Sequence, residues 1–321
     1  MPTAPLPCAA RAEGRCGRLL PALALWPVLA LLLCVLPAAA VAAEPLTPAQ
    51  RGWLAGQAVR FGPESDYPPF IFRHPDGRLD GLSLQMLRAV QRHTGLVLRE
   101  EPAQALAPLL QAARERRVDL LSSLRPTPER AAYLRFSQPY VTVPAVLLRR
   151  PSDAAQPLQA LAGQKVAIGQ GYAAEAVLRQ RHPAVLWQAL PDDGQVLAAL
   201  AGGQVQAAVA DVASATHLRR SRPALAALRV DGPVGFDYTL SFAVRSDWPE
   251  LVEIIDRGLR ALPQHERQAL MDQWLGAEVR AQTPAHAPWA TRLALALLAL
   301  ALGLAAWGLW RRGRTSGRVP S

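Results

Sequence analysis

The chain has 321 residues, 50% of them hydrophobic, and a formal net charge of +10. This hydrophobic fraction excludes a disordered chain and is enough for a sizeable core. The charge does not indicate nucleic-acid binding, because the arginines are interspersed with acidic residues and no basic helix with interleaved aromatic residues is present. We therefore expect no nucleic-acid partner.

The first 43 residues have the order of a secretory signal. Basic residues precede an apolar run over residues 19–36, and small residues at 38–43 follow, just before Glu44. We predict a cleaved signal peptide over residues 1–43. An uncleaved signal anchor is the alternative, since about 18 apolar residues approach the length of a bilayer span.

The cysteines and histidines predict neither a disulfide nor a metal site. The three cysteines lie within the signal segment, and the six histidines show no metal-ligand spacing. The sequence also lacks a nucleophile elbow and a phosphate loop. We therefore expect no cofactor and no catalytic residues.

A second apolar segment lies near the C-terminus. Residues 293–310 carry no charge, tryptophans stand at both edges (Trp289, Trp307 and Trp310), and several arginines follow. As a helix these eighteen residues would span roughly 27 Å. We predict a transmembrane helix over 290–310 that anchors the protein to the inner membrane, with the tail 311–321 in the cytoplasm and residues 44–288 in the periplasm.

Between these segments, strand-like and helix-like patterns alternate. The predicted strands are 59–62, 96–99, 118–123, 142–148, 165–168, 185–188, 206–210, 228–230 and 239–244. The predicted helices are 83–93, 104–116, one starting at Thr127, and 173–181, 195–201, 212–220, 250–262 and 265–275. Such alternation predicts an α/β fold with mostly parallel sheets.

Two α/β lobes are the natural interpretation of residues 44–280. Pro, Ser and Asp cluster near 149–159, and two similar helix–strand blocks, 109–123 and 196–210, flank this seam. We expect lobe 1 over about 57–143 and 240–277, and lobe 2 over about 144–239. Open α/β sheets bind ligands outside the carboxyl ends of their strands, which predicts a cleft between the lobes.

The ends of two strands carry candidate ligand-binding residues. Ser122 and Ser123 end one strand, and Thr127 is placed to cap a helix with Arg130 in its first turn. A cation there opposes the helix macrodipole unless an anion binds; a solvated arginine is the alternative. Asp211 follows the corresponding strand of the second block. A guanidinium facing a carboxylate across a cleft suits a zwitterion.

Several segments together resemble the bacterial family 3 periplasmic solute-binding proteins, the Venus-flytrap receptors for polar amino acids. The segments are 62–70, 76–81, 127–130, 136–140, 169–172 and 208–211. The resemblance covers about 57–276 and is strongest to the flytrap sensor domains of hybrid histidine kinases. It implies a two-lobed periplasmic-binding-protein-like (type II) fold.

The resemblance also implies roles for individual residues. Arg130 would hold the α-carboxylate of an amino acid, and Asp211 its α-ammonium group. Tyr67 would line the side-chain pocket, with Ser122 and Ser123 assisting. Tyr67 as core packing and Asp211 as a simple helix cap are the structural alternatives.

Three further positions bear on the ligand's side chain. Glu64 matches a position that can recognise a basic side chain when it is acidic. Arg125 and Tyr172 depart from the family pattern, and Arg125 would add a second cation to the cleft. A dicarboxylate or another anion is therefore an alternative ligand.

The expected function is binding by lobe closure, in a membrane-tethered receptor that serves either an ABC permease or ligand sensing. The alternative is the input half of a split sensor, which would signal through the membrane to a kinase. Some flytrap relatives are dehydratases, and Glu64 with Arg125 is the candidate acid–base pair for such chemistry. We expect a binding protein rather than an enzyme.

Overall fold

The computed structural model describes residues 45–74 and 76–282, together with residues 297, 298, 301, 302 and 304. The helices within 45–282 are α1 (Pro48–Ala55), α2 (Leu82–Thr94), α3 (Leu106–Arg114), α4 (Pro128–Ala131), α5 (Ala173–Arg181), α6 (Asp193–Ala201), α7 (Val212–Ser221), α8 (Pro249–Ala261) and α9 (Gln264–Gln282). The strands are β1 (Val59–Gly62), β2 (Asp66–Tyr67), β3 (Ile71–Arg73), β4 (Leu79–Asp80), β5 (Leu98–Glu100), β6 (Leu120–Leu124), β7 (Leu134–Phe136), β8 (Val141–Arg149), β9 (Lys165–Gly169), β10 (Leu186–Leu190), β11 (Ala207–Asp211) and β12 (Arg229–Arg245).

The main sheet has the strand order β10-β9-β11-β8-β12-β6-β1-β5, with β7 paired to β12. One half is built on β1, which runs parallel to β5 and β6. The other half is built on β9, which runs parallel to β10 and β11. We call the elements packed on β5, β1, β6 and β7 lobe 1, and those packed on β10, β9, β11 and β8 lobe 2. A small sheet, β2-β3-β4, belongs with lobe 1 and packs against α2.

Strand β12 joins the two halves of the sheet. Its first part, through Leu240, pairs with β8, and its last residues pair with β6 and β7. The prediction of two separate strands at 228–230 and 239–244 is wrong. Glycine and proline at 232, 233 and 235 commonly end a strand, but here the chain stays extended, with register shifts against β8 between Val230 and Gly232 and between Pro233 and Asp237.

Helices α8 and α9 close the domain. Leu251, Ile254, Ile255 and Leu259 are fully buried at helical spacing, so α8 presents one apolar face to α2. Helix α9 contacts both α2 of lobe 1 and α7 of lobe 2. It is interrupted at Gly276, whose φ of 61° and ψ of 169° are not helical.

Both predicted membrane-associated segments lie outside the described residues, apart from five residues of the span 290–310. Those five, which include Leu297 and Leu304, are helical and exposed. Within the part of the chain that the structure describes, no helix is both long enough and apolar enough to cross a bilayer.

Gly81 is required where β4 turns into α2. Its φ is 126°, and a Cβ at this position would lie 2.3 Å from the carbonyl oxygen of Phe70. That carbonyl accepts a hydrogen bond of 2.8 Å from the N–H of Ser83, so it cannot move away without loosening the start of α2. Ser83 in turn contacts the candidate site described below.

Replacing Gly81 by alanine should therefore destabilise the protein. We expect Gly81→Ala to reduce the free energy of unfolding by about 2 kcal/mol or more, a fall in Tm of about 4 °C or more. Gly52→Ala is the matched control, because a Cβ at Gly52 on helix α1 meets nothing within 4 Å. It should leave Tm unchanged or raise it. Equal melting temperatures for the two variants would contradict the proposed constraint.

Candidate ligand-binding site

Arg130 is buried between the two lobes. Its backbone N–H donates to Thr127 Oγ1 at 3.2 Å, so Thr127 caps α4 as predicted. Its side chain is 4% exposed, and the guanidinium donates to the carbonyl oxygens of Arg125 at 2.8 Å and Gly171 at 2.9 Å. Gly171 follows β9 of lobe 2, so this side chain links the lobes directly.

The macrodipole argument for Arg130 does not hold. Helix α4 spans four residues, a single turn, and its summed dipole is correspondingly small. Burial of the guanidinium, which the sequence pattern could not reveal, is the stronger reason to expect an anion there. Burial also lowers the pKa of Arg130, although an arginine remains protonated at physiological pH.

A small cavity lies beside Arg130. Its volume is about 20 Å³, enough for one water molecule and far too small for an amino acid. The residues that line it are Glu64, Tyr67, Leu106, Ser123, Leu124, Arg125, Arg130, Tyr172, Ala173, Tyr238 and Leu240. Of the eight residues predicted from the sequence, Ser122 and Asp211 do not line it.

Further contacts close the cleft around this cavity. Ser214 Oγ on α7 donates to the carbonyl oxygen of Pro68 at 2.6 Å. At the rim, Arg222 lies 3.4 Å from the carboxylate of Asp66. Lobe 2 therefore contacts lobe 1 at the rim as well as at Arg130, and the cleft is shut.

Glu64 lies on the lobe 1 side of the cavity and is 4% exposed. Burial raises the pKa of Glu64 to about 8, although the positive charge of Arg130 opposes this shift. Its carboxyl group is therefore mostly protonated at neutral pH while the cleft is closed and empty.

The two serines belong to a buried hydrogen-bond network. Ser123 has a left-handed φ of 59°, and its N–H donates to Tyr140 Oη at 3.0 Å. Ser83 Oγ lies 2.8 Å from Ser123 Oγ and 2.7 Å from Tyr140 Oη. Ser122 Oγ is 3.5 Å from Ser123 Oγ. The network fixes the end of β6, and of the two serines only Ser123 reaches the cavity.

Asp211 ends β11 and caps helix α7. One carboxylate oxygen accepts the N–H of Ser214 at 2.8 Å, while the other has no hydrogen-bond partner. Burial raises the pKa of Asp211 to about 6, against the effect of the hydrogen bond from Ser214. The cap role is thus present, and one oxygen remains available to a ligand.

Asp193, which the sequence analysis did not single out, is a second buried carboxylate close to Asp211. It is fully buried, and neither of its side-chain oxygens has a hydrogen-bond partner. Burial and the charge of Asp211 raise the pKa of Asp193 well above its usual range. Its position gave no signal, because Asp192 before it already serves as the cap of α6, accepting the N–H of Gln195 at 2.8 Å.

Three tyrosines fill the cleft between Arg130 and the buried aspartates. The ring of Tyr172 lies 5.6 Å from that of Tyr67 and 6.4 Å from that of Tyr238. The hydroxyl groups of Tyr172 and Tyr238 are buried without a hydrogen-bond partner. Tyr238 was missed, although the alternation of Phe236, Tyr238 and Leu240 with small or polar residues in the sequence predicts one buried face of a strand.

Arg125 lies at the mouth of the cleft. Its guanidinium stacks on the ring of Phe236 at 4.1 Å, and one of its terminal nitrogens has no hydrogen-bond partner. Arg125, Arg130 and Tyr172 also border an outer groove of about 630 Å³. The predicted second cation is therefore present, at the entrance rather than in the centre.

Comparison with known proteins gives consistent results. Residues 59–277 match the bacterial extracellular solute-binding proteins, family 3. The virulence sensor protein BvgS of Bordetella bronchiseptica is 29% identical over 236 residues, which cover 71% of this chain but 18% of that protein. The ABC transporter arginine-binding protein 1 of Escherichia coli is 24% identical over 229 residues, covering 70% of this chain and 93% of that protein.

Solved structures share the fold. The periplasmic VFT2 domain of Bordetella pertussis BvgS has a TM-score of 0.65 and 23% identity, covering 72% of this chain and all of that domain. The chain spans about a fifth of the length of the BvgS proteins that it matches. These relatives are binding or sensor proteins. With the family match covering more than half of its residues, the chain belongs to the bacterial extracellular solute-binding proteins, family 3.

Proposed function

We propose that this protein binds a small α-amino acid in the cleft between its lobes and closes around it. The buried guanidinium of Arg130 carries this proposal. Removing a charge from water is costly unless an opposite charge or strong hydrogen bonds replace the solvent, and two neutral carbonyl oxygens replace it only in part. A ligand carboxylate would form the stronger bidentate pair with the guanidinium.

Asp211 supplies the opposite end of the site. Its unpartnered carboxylate oxygen would accept a hydrogen bond from the ligand's α-ammonium group. The tyrosine rings between Arg130 and Asp211 would pack against the ligand's carbon atoms. A dicarboxylate is disfavoured, because its second carboxylate would meet the carboxylates of Asp211, Asp193 and Glu64.

Binding requires the lobes to separate. The cavity of about 20 Å³ cannot admit an amino acid, whereas the outer groove of about 630 Å³ leads from solvent to Arg130 and Tyr172. Strand β12 continues from one lobe into the other, so a small rotation about its crossing point would open the cleft. The ligand would then shift the open–closed equilibrium by its differential affinity for the two states.

We propose further that the binding domain is tethered to the inner membrane by residues 290–310 and reports ligand binding through α9. This helix contacts both lobes, and the predicted span follows it in the sequence. Lobe movement would therefore reach the tether. A sensor kinase and an ABC permease are the two candidate partners, in keeping with the relatives in Bordetella and E. coli.

Loss of the guanidinium should abolish ligand binding. In a thermal-shift screen against amino acids and small carboxylates, a ligand at a hundred times its Kd should stabilise the wild-type protein by about 2.7 kcal/mol. We expect Arg130→Ala to remain folded but to show no shift. Arg88→Ala, which removes an exposed arginine on α2, should respond like wild type. A full response by Arg130→Ala would contradict the assignment of the site.

The stability of the ligand-free protein should depend on pH through Glu64. A carboxyl group whose pKa is raised by folding binds its proton more tightly in the folded state, so stability falls as pH rises from about 4.3 to about 8. We expect Glu64→Gln to raise Tm at pH 8 and to reduce the loss of Tm between pH 6 and pH 8. Glu129→Gln, at an exposed glutamate, should behave like wild type. If Glu64→Gln lost as much Tm between pH 6 and pH 8 as wild type, Glu64 would not hold a proton in the folded state.

Reporter fusions test the tether. Alkaline phosphatase fused after Ser321 should be inactive and green fluorescent protein fused there should fluoresce, because the tail would lie in the cytoplasm. Phosphatase fused after Gln282, before the predicted span, should be active. Active phosphatase at both positions would show that the chain does not cross the membrane here.

A further inference from the structure

The closed cleft buries more acidic than basic side chains. Glu64, Asp193 and Asp211 are each at most 4% exposed, whereas Arg130 is the one guanidinium of the cavity wall buried to that degree. Arg125 is half-exposed at the mouth and lies near Asp237, so this pair leaves the acidic excess inside the cleft unchanged. A zwitterionic ligand brings no net charge and would leave this excess in place.

Among the described residues, no donor forms a hydrogen bond of normal geometry with either carboxylate oxygen of Asp193. The hydroxyl proton of Ser214 is used by the carbonyl of Pro68, and the backbone N–H of Ser214 by Asp211. The N–H of Gln195, in the first turn of α6, is used by Asp192. The hydroxyl group of Ser214 favours the charged form of Asp193, but its hydrogen bond goes to Pro68, so little offsets the desolvation of this fully buried carboxylate.

The unpartnered atoms belong to neighbouring groups. They are both carboxylate oxygens of Asp193, one oxygen of Asp211, and the hydroxyl groups of Tyr172 and Tyr238. Both tyrosines line the cavity and lie within the electrostatic reach of both aspartates. Each of these unpartnered oxygens can accept a hydrogen bond. The set therefore matches a ligand group that has several N–H bonds and a positive charge.

We propose that Asp193, beside Asp211, binds a second cationic group in the ligand's side chain, and that the cleft therefore selects amino acids of net positive charge. This rests on the proposed function, in which Arg130 binds the ligand's carboxylate. With Glu64 protonated and Arg125 offset by Asp237, the carboxylates of Asp193 and Asp211 face Arg130 alone. One positive charge is then missing, which a cationic amino acid supplies. The pKa of Asp193, raised well above its usual range by burial and by the charge of Asp211, agrees with a proton that holds this place in the empty cleft.

Calorimetric titration of the full chain with L-arginine, L-lysine, L-glutamine and L-glutamate at pH 7.5 tests the inference. At least one cationic amino acid should bind about tenfold more tightly than L-glutamine. Asp193→Asn should weaken binding of that amino acid by about 30-fold or more, the effect of removing one partner of a buried charge pair, and binding of L-glutamine by less than about threefold. Asp192→Asn is the matched control, since asparagine also caps helices, and it should change neither affinity.

The outcomes separate the two proposals. If L-glutamine or L-glutamate binds as tightly as both cationic amino acids, or if Asp193→Asn keeps the wild-type preference, the inference is wrong and the amino-acid site stands. If none of the four binds, the proposed function itself fails. Should Asp193→Asn not fold, the wild-type heat of L-arginine binding in imidazole and in phosphate at pH 6.5 decides, because displacement of the proton predicts net proton release and hence different observed heats in the two buffers. Equal observed heats would overturn the inference.

Discussion

A single buried cation organises the cleft of this protein. The guanidinium of Arg130 donates to one carbonyl oxygen from each lobe, and the rings of Tyr67 and Tyr172 pack where the lobes meet. These contacts shut the cleft down to the volume of one water molecule. They also indicate which ligand group would bind here, because a carboxylate accepts hydrogen bonds from a guanidinium more strongly than a carbonyl oxygen does.

The opposite wall of the cleft contains buried carboxyl groups that lack a cationic partner among the described residues. Its carboxylates are removed from solvent, and burial raises the pKa of Glu64 to about 8 and that of Asp211 to about 6. Protons thus take the place of a cation when the cleft closes without one. Closure without ligand is therefore coupled to proton uptake, and a ligand that carries both charges relieves the two walls at once. Under the proposed function, this links the packing of the lobes to the open–closed equilibrium, and α9, which contacts both lobes, would move with it.

Much of the architecture could be predicted from the sequence, because strand ends and helix caps are local signals. Helix α5 has the predicted bounds, and Thr127 and Asp211 cap the helices expected of them. Features that depend on the tertiary fold could not be predicted. Glycine and proline normally end a strand, yet β12 passes through Gly232 and Pro233 because β8 continues to pair with it.

Some residues of the candidate site could likewise be predicted from the sequence, and others could not. Arg130 and Glu64 stand in recognisable segments and line one cavity, as the sequence suggested they would come together. Asp193 follows a residue that fully explains the start of α6, so nothing in the local pattern marks it. Its burial beside Asp211 results from packing between α6 and α7, which the sequence does not reveal. From the sequence, an anion-binding role for Arg130 was inferred from the helix dipole. In the structure, the argument for this proposed role is the desolvation of the buried guanidinium.

The most direct test is a crystal structure of the protein grown with the amino acid that binds it most tightly. The account predicts the ligand's carboxylate oxygens about 2.7–2.9 Å from the guanidinium nitrogens of Arg130, in place of at least one of its two carbonyl partners. A ligand bound elsewhere, with Arg130 still bonded to the carbonyl oxygens of Arg125 and Gly171, would contradict it.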